Sequence, residues 1–176
     1  MEEDGIIKKQ DRPADWVSPL VVARKQNGSL RVCIDPRELN KQFKRITHPV
    51  PTVEGLLPEV RKAKVFSKCD VRSWFWQVGL DDETSQLLTF ETPFGQYRWM
   101  RMPFGISPAP EIFQKCLEEK LQGLEGVSNI HDDILVYGEG ETSIEATKNH
   151  DERMDSLLRR CVEKNIVLNY EDNNSV

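Results

Sequence analysis

The amino-acid sequence predicts an α+β fold in which helices pack on an antiparallel sheet. Two observations carry this prediction. β-type runs occur beside amphipathic helix patterns, and the order of strands, helix, hairpin and helix lacks the regular βαβ alternation of a parallel sheet. A chain of 176 residues is long enough for one compact core and too short for two ordinary domains. We therefore expect one folding unit, with one or two lobes.

Composition places the chain among globular proteins. Apolar residues make up 38% and charged residues 30%, and no apolar run approaches the roughly 20 residues of a membrane helix. The acidic start differs from the basic start of a secretory signal, so we expect an intracellular protein without a membrane partner. The four cysteines lie far apart without a Cys-x-x-Cys pair, which predicts buried thiols and no zinc or disulfide framework.

The charge of the chain neither excludes nor requires a nucleic-acid partner. The net charge of −5 argues against phosphate binding, which needs Lys and Arg. Residues 1–50, however, carry 10 basic and 7 acidic side chains. A local basic surface can bind phosphates within an acidic chain, so the overall sign of the charge does not decide the partner.

The N-terminal elements follow from turn and strand signals. Residues 1–19 hold two prolines and little periodicity, which predicts an extended arm ahead of an ordered core at 20–176. Two β-type runs, 20–23 and 30–34, flank an Asn-Gly pair and predict an antiparallel hairpin.

Helix and strand patterns continue along the core. The further predicted elements are a short helix capped by Asp35, a brief helix at 52–58, a strand at 65–70, an aromatic-rich segment at 73–80 that fits helix or strand, a hairpin of 87–91 and 96–100, a helix at 108–122, a hairpin within 129–137, a helix at 144–165 and a last strand at 167–169. The helix at 144–165 carries its apolar stripe on Met154, Leu157, Leu158, Cys161 and Val162.

Three acids are the candidate catalytic and metal-binding residues: Asp70, at the end of a predicted strand, and the adjacent Asp132 and Asp133. Nucleotidyl transfer uses two divalent metals about 4 Å apart, and Mg²⁺ prefers a few protein oxygens with several waters or phosphates. Each acid alone also fits an ordinary turn or helix cap. Two adjacent acids in the apolar stretch 127–136 repel unless a cation lies between them, which favours a metal site.

Other candidate binding residues each have a structural alternative. Trp74 and Phe75 fit core packing, with nucleotide contact as the alternative for one of them. Lys25 and Arg31 fit either solvated surface charges or ligands of triphosphate oxygens. The three histidines show no metal-ligand spacing.

Several motifs in order resemble the reverse transcriptase of gypsy-type LTR retrotransposon polyproteins, over about residues 5–169. The matching segments are Lys-Gln-Asn-Gly-Ser-Leu-Arg at 25–31, Ile-Asp-Pro-Arg-Glu-Leu-Asn at 34–40, His-Pro-Val-Pro at 48–51, Phe-Ser-Lys-Cys-Asp at 66–70 with Phe75, Thr-Phe-Glu-Thr-Pro-Phe-Gly at 89–95 and Met-Pro-Phe-Gly-Ile-Ser-Pro-Ala-Pro at 102–110.

The resemblance implies a fold and an activity. The fold would be the fingers and palm subdomains of a right-hand polymerase, with an antiparallel palm sheet and no thumb. The activity would be RNA-directed DNA polymerisation, with a primer on an RNA or DNA template, dNTPs, and Mg²⁺, with Mn²⁺ as an alternative metal. The parent polyprotein would also carry ribonuclease H.

The resemblance also assigns roles to residues. Asp70, Asp132 and Asp133 match the metal-binding catalytic acids, and Phe75 matches an aromatic gate against a ribose 2′-hydroxyl. The positions expected at the triphosphate, the template base and the nucleotide are Lys25, Arg31, Trp74 and, in the loop 102–110, Phe104.

Four departures from the family pattern accompany these matches. Ile130 replaces the aromatic of Tyr-x-Asp-Asp, and the bulky Trp74 replaces a small residue near the triphosphate, where it would obstruct the phosphates. Asp172 replaces a lysine, and the primer grip, thumb, connection and ribonuclease H regions do not follow within the 176 residues, so we expect a truncated core.

The departures leave two main hypotheses. The first is an RNA-directed DNA polymerase core. The second is a catalytically impaired retroelement remnant with at most nucleic-acid binding. An unrelated metal-dependent phosphotransferase ranks last, because it would not explain the ordered motifs. The sequence predicts no oligomeric state.

Overall fold

A computed structural model of the protein describes residues 1–24, 28, 30–44, 53–130 and 133–169. The strands are β1 (Ile7–Lys9), β2 (Val17–Arg24), β3 (Leu30–Ile34), β4 (Ala63–Asp70), β5 (Thr89–Thr92), β6 (Gly95–Trp99), β7 (Val127–Ile130) and β8 (Asp133–Glu139). The helices are α1 (Arg37–Gln42), α2 (Val53–Val60), α3 (Asp82–Leu87), α4 (Ala109–Leu121) and α5 (Ser143–Lys164), with a 3-10 turn at Trp74–Gln77.

The chain divides into two compact units. Unit 1 comprises Met1–Ile46 and Phe75–Pro110, and unit 2 comprises Thr47–Trp74 and Glu111–Val176. Unit 1 holds a five-stranded mixed sheet in the order β1-β6-β5-β2-β3, whereas unit 2 holds a three-stranded sheet in the order β4-β8-β7. All pairs in the three-stranded sheet are antiparallel. The predicted α+β fold with an antiparallel sheet and packed helices is therefore confirmed.

The N-terminal hairpin is confirmed. β2 and β3 pair antiparallel, with Leu20 opposite Ile34, and β2 also runs parallel to β5, which makes the sheet mixed. The segment 1–19, predicted as an extended arm, contributes in part to the sheet, because β1 pairs with β6 and β2 begins at Val17, ahead of the predicted start of the core at residue 20. Pairing with β1 satisfies backbone groups of β6 that would otherwise lie at the sheet edge.

Most helix and strand predictions are confirmed, but several details were wrong. Asp35 does not cap α1. Pro36 occupies the N-cap position, and the Asp35 carboxylate instead accepts from Arg37 Nε at 2.8 Å. Residues 82–86, for which the sequence predicted no element, form α3 together with Leu87, which was assigned to a strand. The N-cap Asp81 accepts from the backbone N–H of Thr84 at 2.7 Å.

Unit 2 is built around α5. Thr142 and Glu145 form a reciprocal capping box that fixes its start, and Asn165, with φ of 52°, ends it in the left-handed conformation. The predicted apolar stripe is correct at Leu157 and Cys161, which are buried, but wrong at Leu158 and Val162, which are exposed. Helix α5 therefore buries a narrower stripe than its sequence predicts.

The aromatic segment and the C-terminal segment form short, irregular elements. The aromatic segment at 73–80 forms the 3-10 turn and a bridge from Gly79 to Arg101. The last predicted strand is only an isolated bridge, between Leu168 and Val71. The cysteines are free, and Cys69 and Cys161 are buried, while Cys33 and Cys116 are partly exposed. Among the described residues, no helix is long and apolar enough to cross a membrane.

Candidate active site

Two of the predicted acids lie directly opposite each other in unit 2. Asp70 is the last residue of β4 and Asp133 the first of β8, and the two are partners in the antiparallel ladder. Directly opposed residues in such a ladder point to the same face, with Cβ atoms about 4.5–5.5 Å apart. Residues 63 positions apart in the sequence are thus brought together, as the predicted metal site requires.

The shared face of these carboxylates is the one that α5 does not cover. Ser67 of β4 faces α5, because its Oγ lies 2.9 Å from Nε2 of the buried His150. Side chains alternate between the two faces of a strand. Ser67 and Cys69 therefore point to the α5 side, and Lys68 and Asp70 point to the opposite side. The two acids therefore lie on the face of the sheet opposite the Ser67–His150 contact.

Each carboxylate has a specific partner. Lys68 Nζ lies 2.8 Å from Asp133 Oδ2, in an ion pair in which the lysine side chain is 61% exposed and the aspartate 31%. Asn169 donates from its side-chain amide to Asp70 Oδ2, and its backbone N–H donates to the Asp70 carbonyl at 2.9 Å. Sequence reasoning missed both partners. The i, i+2 spacing of Lys68 and Asp70 was a sequence signal that Lys68 shares a face with the acids. No sequence signal pointed to Asn169.

Helix α5 holds strand β8 by close backbone approach. A Cβ on Gly138 would lie 2.2 Å from the Ala146 carbonyl oxygen, so only glycine fits at this contact. Arg153 donates to the Tyr137 carbonyl at 2.7 Å, and its guanidinium lies over the Tyr137 ring. These contacts fix the strand that begins at Asp133.

In unit 1, three of the predicted nucleotide-binding residues form a stack. The Arg31 guanidinium carbon lies 4.9 Å from the centroid of the Phe104 ring, and Phe104 meets Phe75 edge to face at 4.7 Å. Phe75 is only 6% exposed, while Arg31 is exposed. The arrangement leaves the positive charge of Arg31 at the surface, over the Phe104 ring.

The loop at 102–110 is locked onto β3 within unit 1. The Phe104 carbonyl accepts from the Ile34 N–H at 3.0 Å. Asn40 spans the loop, because its amide donates to the Gly105 carbonyl at 2.9 Å and its carbonyl accepts from the Ser107 N–H at 2.9 Å. These bonds fix Phe104 beside Arg31.

Of the three remaining predicted site residues, the structure describes Trp74 alone. The indole of Trp74 lies against Phe113 of α4, with ring centroids 4.7 Å apart, both in unit 2. Lys25 and Asp132 fall outside the described residues.

The donor set fits a divalent cation. Two opposed carboxylates supply the oxygen ligands that Mg²⁺ prefers, and their like charges favour a cation between them. Among the described residues no group of three or more His, Cys, Asp or Glu is placed to hold a metal, and the third predicted acid, Asp132, is not among those residues.

Comparison with known proteins identifies the family. Residues 22–171 match the family described as reverse transcriptase (RNA-dependent DNA polymerase). An uncharacterized protein of Caenorhabditis elegans is 35% identical over 153 residues, which cover 85% of this chain and 12% of that protein. The enzymatic polyprotein of cauliflower mosaic virus (strain Strasbourg) is 33% identical over 147 residues, or 83% of this chain and 21% of the polyprotein. This chain therefore spans a small part of the relatives it matches.

Solved structures share the fold. The foamy viral protease-reverse transcriptase in complex with double-stranded DNA superposes with a TM-score of 0.86 at 20% identity, covering 99% of this chain and 30% of the other. The foamy viral enzyme in complex with an RNA/DNA hybrid gives a TM-score of 0.81 at 21% identity, covering 99% and 22%. The chain belongs to the reverse transcriptase family of RNA-directed DNA polymerases, which are nucleotidyltransferases. The predicted membership of the reverse transcriptase family is thereby confirmed.

Proposed function

We propose that this chain is the core of an RNA-directed DNA polymerase that adds dNTPs to a primer 3′ end on an RNA or DNA template. The observation that carries the proposal is the placement of Asp70 opposite Asp133 in a chain that matches the reverse transcriptase family over residues 22–171. Two acids at adjacent strand ends are what a two-metal nucleotidyl transfer needs from the protein.

The carboxylates are assigned to the metals. Asp70, Asp132 and Asp133 would hold Mg²⁺, with Mn²⁺ as a substitute. When bound, the ions supply activation of the primer hydroxyl and neutralisation of triphosphate charge. The protein's own contribution is to fix the carboxylates beforehand, and the partners of Asp70 and Asp133 support that role.

The nucleotide-binding residues are assigned within unit 1. Arg31, and with it Lys25, would bind the triphosphate of an incoming dNTP, because a guanidinium binds phosphate oxygens through paired hydrogen bonds. Phe75 would exclude a 2′-hydroxyl, and Phe104 would support the nucleotide. The contact of Phe104 with both Arg31 and Phe75 supports a common role for the three.

Domain organisation and origin are part of the proposal. Residues 20–176 would form the fingers and palm core, preceded by residues 1–19. The parent would be the pol polyprotein of a gypsy-type LTR retrotransposon that also carries ribonuclease H. The ordered motifs support the gypsy assignment, and the small share of the viral polyprotein that this chain covers supports a larger parent.

A nucleic-acid duplex is the proposed partner. Similar folds have been solved with double-stranded DNA and with an RNA/DNA hybrid. The basic surplus in residues 1–50 supports phosphate contacts by this chain. Binding to a template-primer should therefore weaken as salt concentration rises.

Primer extension on poly(rA)·oligo(dT) with Mg²⁺ or Mn²⁺ tests the function. We expect dTTP incorporation by the wild-type chain and its loss in Asp70→Asn and Asp132→Asn, with Lys115→Met as a surface-charge control. Wild-type chain that is folded and binds the duplex, but incorporates no nucleotide with either metal, would instead identify a catalytically impaired remnant.

A further inference from the structure

Lys68 is placed where it can act as the counter-cation of the carboxylate pair. It shares a face of β4 with Asp70, two residues on, and lies opposite Leu135, so Asp133 is its diagonal neighbour across the ladder. A diagonal neighbour is about 7–8 Å away, within the reach of a long side chain. The Lys68 ammonium spans that gap and meets Asp133 Oδ2 at 2.8 Å.

The Lys68–Asp133 ion pair reduces the repulsion between the two opposed carboxylates. Like charges directly opposite each other on a sheet are destabilising, and Asp70 and Asp133 are such a pair. Asn169 gives Asp70 a neutral hydrogen-bond donor, which leaves the charge in place. Lys68 supplies positive charge to the pair. An ammonium and a divalent cation at this face would compete for the same oxygen of Asp133.

We propose that Lys68 is a built-in regulator of metal occupancy, which neutralises Asp133 while the site is empty and must yield it when a divalent cation binds. The proposal rests on the proposed metal site and adds a residue to which no role is otherwise assigned. It makes Lys68 a positioning residue that acts through Asp133. Removal of the Lys68 charge should lower the thermal stability of the metal-free protein and raise its affinity for a divalent cation.

The chain offers a matched control. Lys115 lies on α4 in unit 2, its side chain is 60% exposed, and its partner is a carboxylate, Glu119, at 3.9 Å. Lys68→Met and Lys115→Met thus remove the same charge from side chains of nearly equal exposure. Lys68→Arg keeps the charge, and Lys68→Gln provides a second neutral variant if the methionine variant does not fold.

Two measurements separate the variants. Mn²⁺ binding to the whole chain, followed by electron paramagnetic resonance, should be about two- to fivefold tighter in Lys68→Met, the range that a partly exposed ion pair is worth. Thermal unfolding in EDTA should occur about 1–3 °C lower in Lys68→Met, and added Mg²⁺ should recover the difference. Lys115→Met and Lys68→Arg should bind Mn²⁺ as the wild type does.

The outcomes distinguish this inference from the metal site itself. If Asp70→Asn loses Mn²⁺ binding while Lys68→Met and Lys68→Gln bind it no more tightly than Lys115→Met, the role of Lys68 is overturned and the metal site stands. If Asp70→Asn binds Mn²⁺ as well as the wild type does, the metal site falls, and the role of Lys68 falls with it.

Discussion

Asn169 bonds twice to Asp70: its backbone N–H donates to the Asp70 carbonyl at 2.9 Å, and its side-chain amide donates to one carboxylate oxygen. Arg72 N–H also donates to the Val167 carbonyl at 2.9 Å, so the chain after α5 is tied to the end of β4. One oxygen of Asp70 is oriented in this way, and among the described residues no hydrogen bond to the other oxygen is formed. The segment after α5 thus reaches the proposed metal site.

Replacement of Asn169 should therefore impair the metal site without unfolding the chain. We expect Asn169→Ala to lower Mg²⁺-dependent incorporation about 10- to 100-fold, the usual effect of losing a hydrogen bond to a metal ligand. Asn169→Asp should be worse, because it sets a like charge against Asp70. Incorporation measured across Mg²⁺ concentrations checks this, with circular dichroism for folding. Unchanged activity and Mg²⁺ dependence in Asn169→Ala would show that the amide does not position Asp70.

The stack in unit 1 predicts sugar selectivity. Phe75→Val should raise the ratio of ribonucleotide to deoxynucleotide incorporation on the order of 10- to 100-fold, because a smaller side chain leaves room for a 2′-hydroxyl. Phe94→Val is the control, since Phe94 is 83% exposed in the β5–β6 turn of the same unit. Competition between rTTP and dTTP on one primer measures the ratio. Equal ratios in the two variants would rule out Phe75 as the gate.

Trp74 carries two opposed expectations. Its loss in Trp74→Gly should raise incorporation if the indole obstructs the triphosphate. The same change removes the contact with Phe113 and should lower the free energy of unfolding by about 1–3 kcal/mol. Trp74→Phe, which keeps an aromatic ring, should retain most of the stability. Rates of nucleotide incorporation and urea unfolding of the same variants separate the effect on activity from the effect on stability. A folded Trp74→Gly chain with lower incorporation would contradict the steric argument.

Local patterns predicted much of this fold. The Asn-Gly hairpin, the strand that ends at Asp70 and the long helix α5 each follow from a period or a turn signal within a short window. Such signals depend on neighbouring residues alone. They therefore predict Asp70 at a strand end and the Asp132-Asp133 pair within a hairpin from sequence alone.

Long-range pairing was beyond those patterns. The register that sets Asp70 opposite Asp133 depends on how β4 and β8 align along their whole length, including an irregularity between Ala63 and Val65. Nothing near Asn169 predicts that it reaches Asp70. The exposure of Leu158 and Val162 likewise depends on what packs against α5, which an apolar stripe alone does not reveal.

The pH dependence of stability should report on a buried thiol. Burial, and to a lesser degree the neighbouring Cys69 thiol, raises the pKa of Cys161 from its ordinary value of 9.0 to about 11. Between pH 9 and 11 the folded chain keeps this proton while the unfolded chain loses it. The contribution of Cys161 to the free energy of unfolding is therefore complete below pH 9 and falls as pH rises toward 11. Cys161→Ala should remove about 2–3 kcal/mol of that decline.

Urea unfolding of wild type and Cys161→Ala between pH 8 and 11 checks this prediction. Other groups titrate in the same range, so the difference between the two chains is the quantity to compare. Cys116→Ala is the comparison variant with a smaller expected effect, because burial also raises the pKa of the Cys116 thiol but that residue is only partly buried. Parallel pH profiles for the wild type and Cys161→Ala would contradict a buried thiol at this position.

Gly105 should be the least replaceable residue of the loop at 102–110. Its φ is +110°, and a Cβ there would lie 1.9 Å from the Ile34 carbonyl oxygen. Gly95 has a nearly equal φ of +114° but no atom within 4 Å of such a Cβ, so it isolates the backbone effect. Gly95→Ala should cost about 1–3 kcal/mol from the backbone alone.

Gly105→Ala should cost about 1–3 kcal/mol more than Gly95→Ala, because β3 must also move away from the new methyl group. That movement would disturb the bond from Ile34 N–H to the Phe104 carbonyl, and with it the contact of Phe104 with Arg31. Urea unfolding gives both costs, and the KM for dNTP should rise in Gly105→Ala alone. Equal stability losses and equal KM values in the two variants would show that the close approach of the loop to β3 contributes nothing beyond backbone conformation.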